Sequence, residues 1–322
     1  MSVPAVELDG SFGRTGASAY VDDRWEQLPA GSGVVPYYRV GRTAVSVGRP
    51  LVPAAEVPIA FVTFENYCRD RRWRPLVLDA PIPVPGLPSH VVAREAIVDV
   101  PGFTLTGSRM ATLRHNLARA RRVGLQVTTL RWAECDEKVR DEMRRVSSEW
   151  ARGRWLLGLT YGRMHDIPDD ALISLARAGE GKLEGFASCR VLTPLGGAVL
   201  DLLRRGKAAS PGAMDCIVVA LIEAVRGLEF EWMSLGDITA PDSAPLWLCL
   251  LVKSVSVTGS PGLERWKSKF GPQWEDRYLA LPAGPSSLPA LVALGFAFVR
   301  GTSVNRGRRN RGGAPSHLAD DR

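Results

Sequence analysis

The chain has 322 residues, 45% of them hydrophobic and 23% charged, a composition that is ordinary for a soluble globular protein. Lys and Arg number 41 against 34 Asp and Glu, so the formal net charge is +7. This charge permits a polyanionic partner, such as RNA or an anionic membrane surface, without requiring one.

The five cysteines and the apolar runs limit the cellular setting. The cysteines are odd in number, lie far apart and form no CxxC pair, so they indicate neither a zinc site nor a disulfide framework and predict a reducing, cytoplasmic location. No signal peptide is visible. The longest apolar runs, Ala244–Val252 and Leu288–Val299, are too short to cross a bilayer, so membrane contact is expected to be peripheral at most.

The first half of the chain alternates short strands with helices. Residues 1–34 are rich in Gly, Ser, Ala and acids, have weak periodicity, and therefore predict a flexible N-terminal arm. The apolar pattern then predicts, in order, strands Tyr37–Val40 and Ala44–Val47, helix Val57–Arg71, strands Arg74–Leu78, Val91–Val100 and Phe103–Leu105, and helix Ser108–Arg122 with Gly124 as its stop.

The second half of the chain also alternates short strands with helices. Its pattern predicts strand Leu125–Leu130, helix Glu134–Trp150, strand Leu183–Leu192, a strand ending at Asp201 to Arg205, helix Ser210–Gly227 and strand Trp232–Gly236. Two similar halves of mixed strands and helices predict an α/β (α+β) fold with two units side by side. We place the first unit at 35–150, the second at 151–300, and a disordered basic tail at 301–322.

The predicted helix over Ser108–Arg122 has one apolar stripe and a basic remainder. The stripe is formed by Met110, Leu113, Leu117 and Ala120. The other positions carry no acid, and their basic side chains are Arg114, His115, Arg119, Arg121 and Arg122. Unpaired guanidinium groups repel one another and bind phosphates bidentately, so this face is a candidate tRNA-binding surface, with a solvated basic face as the alternative.

A carboxylate and a guanidinium, Asp201 and Arg204, lie three residues apart between apolar neighbours. A buried lone charge is strongly destabilising, so the two must neutralise each other or hold a ligand. Side chains at this spacing face opposite sides of a regular strand, so both reach one site only if the strand ends or kinks there. The alternative is a surface ion pair beside Lys207.

Two further segments carry candidate substrate-binding groups. Gly212 opens a nearly apolar helix and places Asp215 in its first turn, where the macrodipole favours a carboxylate and the helix amides could receive an anionic group. Lys267 and Lys269 alternate with Trp266, Ser268 and Phe270. This alternation indicates either an edge strand with exposed lysines or a cationic clamp for a ribose-phosphate end.

Taken in order, these segments resemble the cytosolic aminoacyltransferase domain of bacterial phosphatidylglycerol lysyltransferases, the multiple peptide resistance factor family. The resemblance extends over roughly Tyr37 to Leu281. The matching pieces are Glu95-Ala96-Ile97-Val98-Asp99, Phe103-Thr104-Leu105-Thr106-Gly107, Leu113-Arg114-His115-Asn116 to Gly124, Glu149-Trp150, Asp201-Leu202-Leu203-Arg204, Gly212-Ala213-Met214-Asp215, Leu235-Gly236, and Lys267-Ser268-Lys269-Phe270 to Arg277-Tyr278.

The resemblance implies two GNAT-like units in tandem and transfer of an amino acid from aminoacyl-tRNA to a hydroxyl acceptor. It places Asp201 and Arg204 at the reaction centre and adds Lys267 and Lys269 to the site. The family's small-residue motif after Leu235-Gly236 is replaced here by a segment that starts with Asp237, which we include among the substrate-binding candidates. An aminoacyl ester is already activated, so we expect no metal and no cofactor beyond aminoacyl-tRNA as co-substrate.

The sequence leaves alternatives open for the acceptor substrate and for the class of protein. No membrane-embedded flippase part precedes the domain in this chain, so the acceptor could be phosphatidylglycerol or a small metabolite of an antibiotic pathway, for example in seryl transfer to a hydroxylamine. An acetyl-CoA-dependent GNAT enzyme would need a glycine-rich pyrophosphate loop, of which Leu203-Arg204-Arg205-Gly206-Lys207 is a poor version. A non-catalytic RNA- or membrane-binding protein is the remaining alternative.

Overall fold

The computed structural model describes residues 25–152, 164–179, 181–239 and 261–303. Within these ranges the strands are β1 Glu26–Ala30, β2 Gly33–Val40, β3 Thr43–Val47, β4 Arg74–Ala80, β5 Ser89–Asp99, β6 Gln126–Arg131, β7 Leu172–Arg177, β8 Leu183–Leu192, β9 Gly197–Arg205, β10 Trp232–Thr239 and β11 Gln273–Ala280. The α-helices are α1 Val57–Asp70, α2 Ala111–Arg122, α3 Glu137–Ala151, α4 Ala213–Arg226, α5 Pro261–Ser268 and α6 Ser287–Ser303.

These strands form one mixed sheet in the order β1-β2-β3-β4-β11-β5-β10-β9-β8-β7-β6. Two neighbouring pairs are parallel, β3 with β4 and β9 with β10, and the connections between them carry α1 and α4. Strand β11 comes late in the chain but lies between β4 and β5, antiparallel to both. The sheet therefore has two lobes, which β11 joins.

The first lobe comprises β1–β4, α1 and α6. Helix α1 covers one face of its strands through Phe61 and Phe64, which are fully buried against Val35 and other residues of the strands. Helix α6 covers the opposite face, where Leu294 packs with Leu76. Covering on both faces accounts for the continuous apolar runs in β3 and β4, because neither side of these strands faces water.

The second lobe comprises β5–β10 and α2–α4. Helices α2 and α4 cover one face, where Leu113 and Leu221 are fully buried in the largest core. Helix α3 covers the other face and buries Met143 and Val146 against β7, β8 and β9. Asp136 caps α3, since its Oδ1 accepts a hydrogen bond of 2.8 Å from the backbone amide of Val139.

The predicted fold class, a mixed α/β fold with two GNAT-like units, is confirmed, but the boundaries of the units differ from the prediction. Leu28 and Ala30 are buried in β1, so the last residues of the predicted arm at 1–34 belong to the sheet; residues 1–24 lie outside the described ranges. The predicted joint at 150/151 falls at the end of α3, which shares a core with β8 and β9, whereas β5 and α2 already belong to the second lobe. The predicted tail lies outside the described ranges beyond Ser303.

None of the helices in the described ranges is long and apolar enough to cross a membrane. The apolar run Ala244–Val252 lies outside the described residues, as does Cys249. The other four cysteines are free thiols, and three of them are buried.

Candidate active site

Strands β9 and β10 are parallel neighbours that separate soon after they begin. Residues 197–199 of β9 pair with residues 232–234 of β10, and no later pair joins these two fully described strands. Further along, β9 remains paired with β8 and β10 with β5. The facing edges, residues 200–205 of β9 and 235–239 of β10, are thus not paired with each other. We call this region the β9–β10 opening.

Gly197 and Trp232 close the narrow end of the opening. A Cβ atom at Gly197 would lie 2.1 Å from the indole ring of Trp232, so only glycine lets the buried indole pack there. The indole Nε1 donates a hydrogen bond of 3.1 Å to the carbonyl of Leu195. The point where the two strands part is therefore fixed by close packing.

On the β9 side of the opening, the side chain of Asp201 is fully buried. A register shift against β8 places this residue at a bulge, because Leu200 pairs with Cys189 and Leu202 with Ser188. The Asp201 Oδ2 atom accepts a hydrogen bond of 3.2 Å from Nε of Arg190. The bulge is thus a break in the regular strand of the kind that the spacing of Asp201 and Arg204 requires if both side chains are to reach one site.

Arg204 lies on the same strand and is only 5% exposed. Its guanidinium carbon sits 3.8 Å from the centre of the Trp150 ring, a cation–π contact in a desolvated environment. Its Nη1 donates a hydrogen bond of 3.3 Å to the carbonyl of Leu203. Both charges are therefore buried, and the alternative of a surface ion pair beside Lys207 is wrong.

A second set of charges lies where β10 meets β5 and β11. Arg277 is 1% exposed, and its Nε donates a hydrogen bond of 2.9 Å to Oε2 of Glu95, which is equally buried. Ser234 donates a short hydrogen bond to the other oxygen of Glu95. Asp79 and Asp237 share a side-chain hydrogen bond beside this pair. Asp79 was not among the predicted site residues, and its backbone is left-handed with a φ of 61°.

Lys267 completes this charged cluster from the last turn of α5. The side chain is 4% exposed, and Nζ donates a hydrogen bond of 2.9 Å to the backbone carbonyl of Asp237. Of the two alternatives for the segment around Lys267, the edge strand is wrong, because these residues end α5 and the next strand, β11, lies inside the sheet. The alternation of apolar and basic residues around Lys267 covers only the last helical turn of α5 and the short turn that follows the helix.

Burial shifts the protonation of three groups in this cluster. Desolvation lowers the pKa of Lys267 to about 8. Desolvation, and then repulsion by Glu95, raises the pKa of Asp237 to about 6. The pKa of Asp79 is raised well above its usual range by burial and by Asp237 and Glu95.

Asp215 of α4 is hydrogen-bonded to residues of α2 and to residues at the end of α5. Its carboxylate accepts hydrogen bonds from Nε1 of Trp266 at 2.7 Å, from Nδ2 of Asn116 at 2.5 Å, and from Nζ of Lys269 at 3.0 and 3.2 Å. These contacts join α4 to α2 and to the end of α5. The predicted substrate contacts of Asp215 and Lys269 remain predictions, and a substrate would have to share or displace these bonds.

Gly212 brings α2 and α4 into close contact. It has a φ of 89°, and a Cβ atom at this position would lie 2.5 Å from the carbonyl oxygen of Asn116. Helix α2 therefore flanks the connection that leads from the end of β9 into α4. The sequence predicted a ligand contact at Gly212, and the structure adds a packing reason for the glycine.

The basic face of α2 is open to solvent. Leu113, Leu117 and Ala120 are buried as predicted, and the five predicted tRNA-binding residues are exposed: Arg114, His115, Arg119, Arg121 and Arg122. Within the described part of the chain, none of these five forms an ion pair. Nη1 of Arg114 donates two hydrogen bonds of 2.6 Å to the carbonyls of Leu105 and Gly107, which fixes one guanidinium at the start of the helix.

The connection between β9 and α4 already uses its amides within the protein. The backbone amide of Gly206 donates to the carbonyl of Glu184, and the amide and hydroxyl of Ser210 donate to the Glu184 carboxylate at 2.8 and 3.0 Å. A pyrophosphate bound here would compete with a carboxylate for these donors and be repelled by its charge.

Two parallel strands that part within a mixed sheet, with a helix crossing between them, define a GNAT-like acyltransferase fold. Residues 21–281 match the family described as phosphatidylglycerol lysyltransferase, C-terminal, and the chain belongs to this family. Family membership confirms the resemblance noted in the sequence.

Curated relatives carry related descriptions at modest identity. The lysylphosphatidylglycerol biosynthesis bifunctional protein LysX of Mycobacterium sp. (strain JLS) is 25% identical over 302 residues, which cover 83% of this chain and 27% of LysX. The MprF-like domain protein Rv1619 of Mycobacterium tuberculosis (strain ATCC 25618 / H37Rv) is 25% identical over 235 residues, covering 66% of this chain and 47% of that protein. The chain thus spans from about a quarter to about half of these relatives.

Solved structures share the fold. The C-terminal domain of a putative lysylphosphatidylglycerol synthetase from Agrobacterium fabrum has a TM-score of 0.74 and 24% identity, covering 89% of this chain and 93% of that one. The structure of L-PGS from Bacillus licheniformis has a TM-score of 0.71 and 21% identity, covering 86% and 90%. At these identities the likeness is one of fold.

Several residues of the site escaped the sequence analysis. Arg190 and Arg277 each pair with a buried acid, and Trp150 packs on Arg204. A signal existed for Glu95, a carboxylate at the start of the apolar run 96–98, where a buried partner is required. The partner itself lies 182 positions away in the sequence, beyond the reach of any local pattern.

Proposed function

We propose that this protein transfers the aminoacyl group of an aminoacyl-tRNA to a hydroxyl group of phosphatidylglycerol. The observation that carries the proposal is the β9–β10 opening, with buried Asp201 and Arg204 on one strand and Asp237 with Lys267 beside the other. The descriptions of the relatives make lysine the first amino acid to test. The small-metabolite acceptor gains no support from these relatives.

The reaction needs two substrates held in line and stabilisation of a tetrahedral intermediate. The acceptor hydroxyl oxygen attacks the ester carbonyl carbon, the bond from that carbon to the tRNA 3′-oxygen breaks, and the acceptor's proton ends on the 3′-oxygen. We assign Asp201 to the α-ammonium of the aminoacyl group, since a buried carboxylate attracts a cation strongly. Arg204 would face the acceptor phosphate, and no cofactor or metal takes part.

Lys267 is the best candidate to stabilise the oxyanion. It is a buried cation that, among the described residues, donates one hydrogen bond, to the carbonyl of Asp237, and an ammonium group can donate three. Donors already fixed in a desolvated site need no reorganisation as charge develops on the substrate. The charge on Lys267 is thus part of the proposed mechanism, and its loss at high pH should slow transfer.

The acetyl-CoA alternative is disfavoured by the β9–α4 connection. Glu184 already binds the amide of Ser210, one of the donors that a pyrophosphate would need, and places a negative charge there. Acetyl-CoA should therefore bind weakly. Isothermal titration with acetyl-CoA and with an uncharged tRNA measures this directly, and tight binding of acetyl-CoA would favour the alternative.

The function is tested by incubating the purified protein with radiolabelled lysyl-tRNA and phosphatidylglycerol vesicles and following label into the lipid fraction. Alanyl-tRNA, seryl-tRNA and a soluble hydroxylamine acceptor form the other arms. Arg204→Gln should reduce transfer at least 100-fold, whereas Arg205→Gln, one residue along on the exposed side, should stay within about twofold. Label that never enters lipid, with any of these donors, would refute the proposed acceptor.

The tRNA face has its own test. Replacing Arg119 and Arg122 by Glu should raise the KM for aminoacyl-tRNA and leave kcat unchanged. The slope of log KM against log salt should flatten by about 1.5, because two phosphate contacts are lost. Lys138→Glu, an exposed change on α3, is the control. An unchanged salt slope in the double variant would exclude this face from tRNA binding.

A further inference from the structure

Helix α6 is apolar on both of its faces. Its inner face packs on β2, β3 and β4 through four residues that are at most 9% exposed: Ala290, Leu291, Ala293 and Leu294. On the outer face Leu288, Val292 and Phe296 are 68%, 52% and 55% exposed. We call these three side chains the α6 stripe. A helix that is apolar all round is normally covered on all sides, and this one is covered on one side only.

The α6 stripe is a continuous feature. Its residues are spaced by four, so they form one row about 12 Å long on the helix surface. The stripe supplies three of the six large hydrophobic side chains that are exposed in the described ranges. Single exposed apolar residues need no explanation, whereas a row of them indicates a partner surface.

The charge of the surrounding sequence identifies the kind of partner. No acid occurs between Asp276 and Asp320, and the segment after α6 carries Arg306, Arg308, Arg309 and Arg311. An apolar row followed by arginines matches an anionic phospholipid surface, where apolar side chains enter the interface and basic ones meet the headgroups. A second copy of this chain would instead bring two basic segments together.

We infer that the α6 stripe docks this protein on the surface of an anionic phospholipid bilayer. The stripe would lie in the plane of the interface, with the first lobe between it and the solvent. The inference rests on the proposed function for its biological role, because phosphatidylglycerol is both the proposed acceptor and an anionic lipid. Binding to vesicles can nevertheless be measured without any transfer.

Co-sedimentation tests the inference, with vesicles of phosphatidylcholine containing a third phosphatidylglycerol and with pure phosphatidylcholine vesicles. The full chain should bind the anionic vesicles at least tenfold more tightly. The triple variant Leu288→Ser, Val292→Ser and Phe296→Ser should lose at least tenfold. The matched control, Ile59→Ser with Val62→Ser, removes exposed apolar residues from α1 on the opposite face of the same lobe and should stay within twofold.

The outcomes separate the inference from the proposed function. Vesicle binding by the triple variant equal to that of the parent, or an equal loss in the control, overturns the docking surface. Absence of vesicle binding together with a dimer that the triple variant disperses, seen by analytical ultracentrifugation, assigns the stripe to a second copy and also overturns it. Transfer to detergent-dispersed phosphatidylglycerol should survive in the triple variant, and a parent that binds vesicles but transfers nothing refutes the function alone.

Discussion

Replacing Lys267 by Met should abolish transfer and yet stabilise the protein at neutral pH. Burial lowers the pKa of Lys267 from 10.5 to about 8, so folding at pH 7 carries a charged amine that would be more stable in water. A shift of this size corresponds to a penalty on the order of 3 kcal/mol. Met has a similar length and no charge, so the variant should recover up to that amount.

The sign of the pH dependence follows from linkage. Between about pH 8 and 10.5 the unfolded chain binds the Lys267 proton more tightly than the folded protein, so parent stability rises with pH in this window. The gain of Lys267→Met over the parent should therefore be largest at pH 7 and vanish by pH 10.5. Urea unfolding at both pH values measures it, with Lys207→Met as the exposed control. Parallel pH profiles for parent and variant would refute a buried, destabilising ammonium.

Activity should follow the same titration in the opposite direction. If transfer needs the charged amine, kcat/KM should fall as pH rises through about 8, with about a tenth of the enzyme active at pH 9. Any activity retained by Lys267→Arg should lack this alkaline limb, because a guanidinium stays charged. Initial rates must be corrected for spontaneous hydrolysis of the aminoacyl ester. A parent profile that stays flat to pH 10 would remove Lys267 from the mechanism.

Two further predictions concern stability and are read out by urea unfolding. Gly212→Ala should lower the free energy of unfolding by at least about 2 kcal/mol, because a left-handed backbone and a clash with the carbonyl of Asn116 act together. Gly124→Ala, at a φ of 74° and with open space around the position, should lower it by only about 1 kcal/mol. Equal losses would contradict the close approach of α2 and α4. Arg277→Met should lower the free energy of unfolding by about 3–5 kcal/mol by removing the buried cation that neutralises Glu95, and adding Glu95→Gln should recover much of it. Strict additivity in that double-mutant cycle would show that the ion pair is not coupled.

Local pattern was sufficient to predict most of the helices and strands. The apolar stripe of α2 and the helix limits at Val57 and Asp70 follow from helical periodicity, which is a property of neighbours three and four positions apart. The edge-strand alternative at Lys267 is wrong for the same reason, since one turn of helix and a short strand can share an alternating pattern. The position of β11 was beyond local pattern, because this strand returns from far along the chain to lie between β4 and β5.

The sequence by itself determined that Asp201 and Arg204 are unusual, because charges within an apolar strand demand burial with compensation. Only the tertiary structure decided which groups contact these charges. Arg190 of the neighbouring strand β8 pairs with Asp201, and the ring of Trp150 packs on Arg204. The same division holds for the second cluster of charges, where Glu95 and Arg277 meet across 182 positions of sequence. Composition and periodicity act over a few residues, whereas the partner of a buried charge is chosen by sheet order, and sheet order depends on contacts that no local pattern encodes.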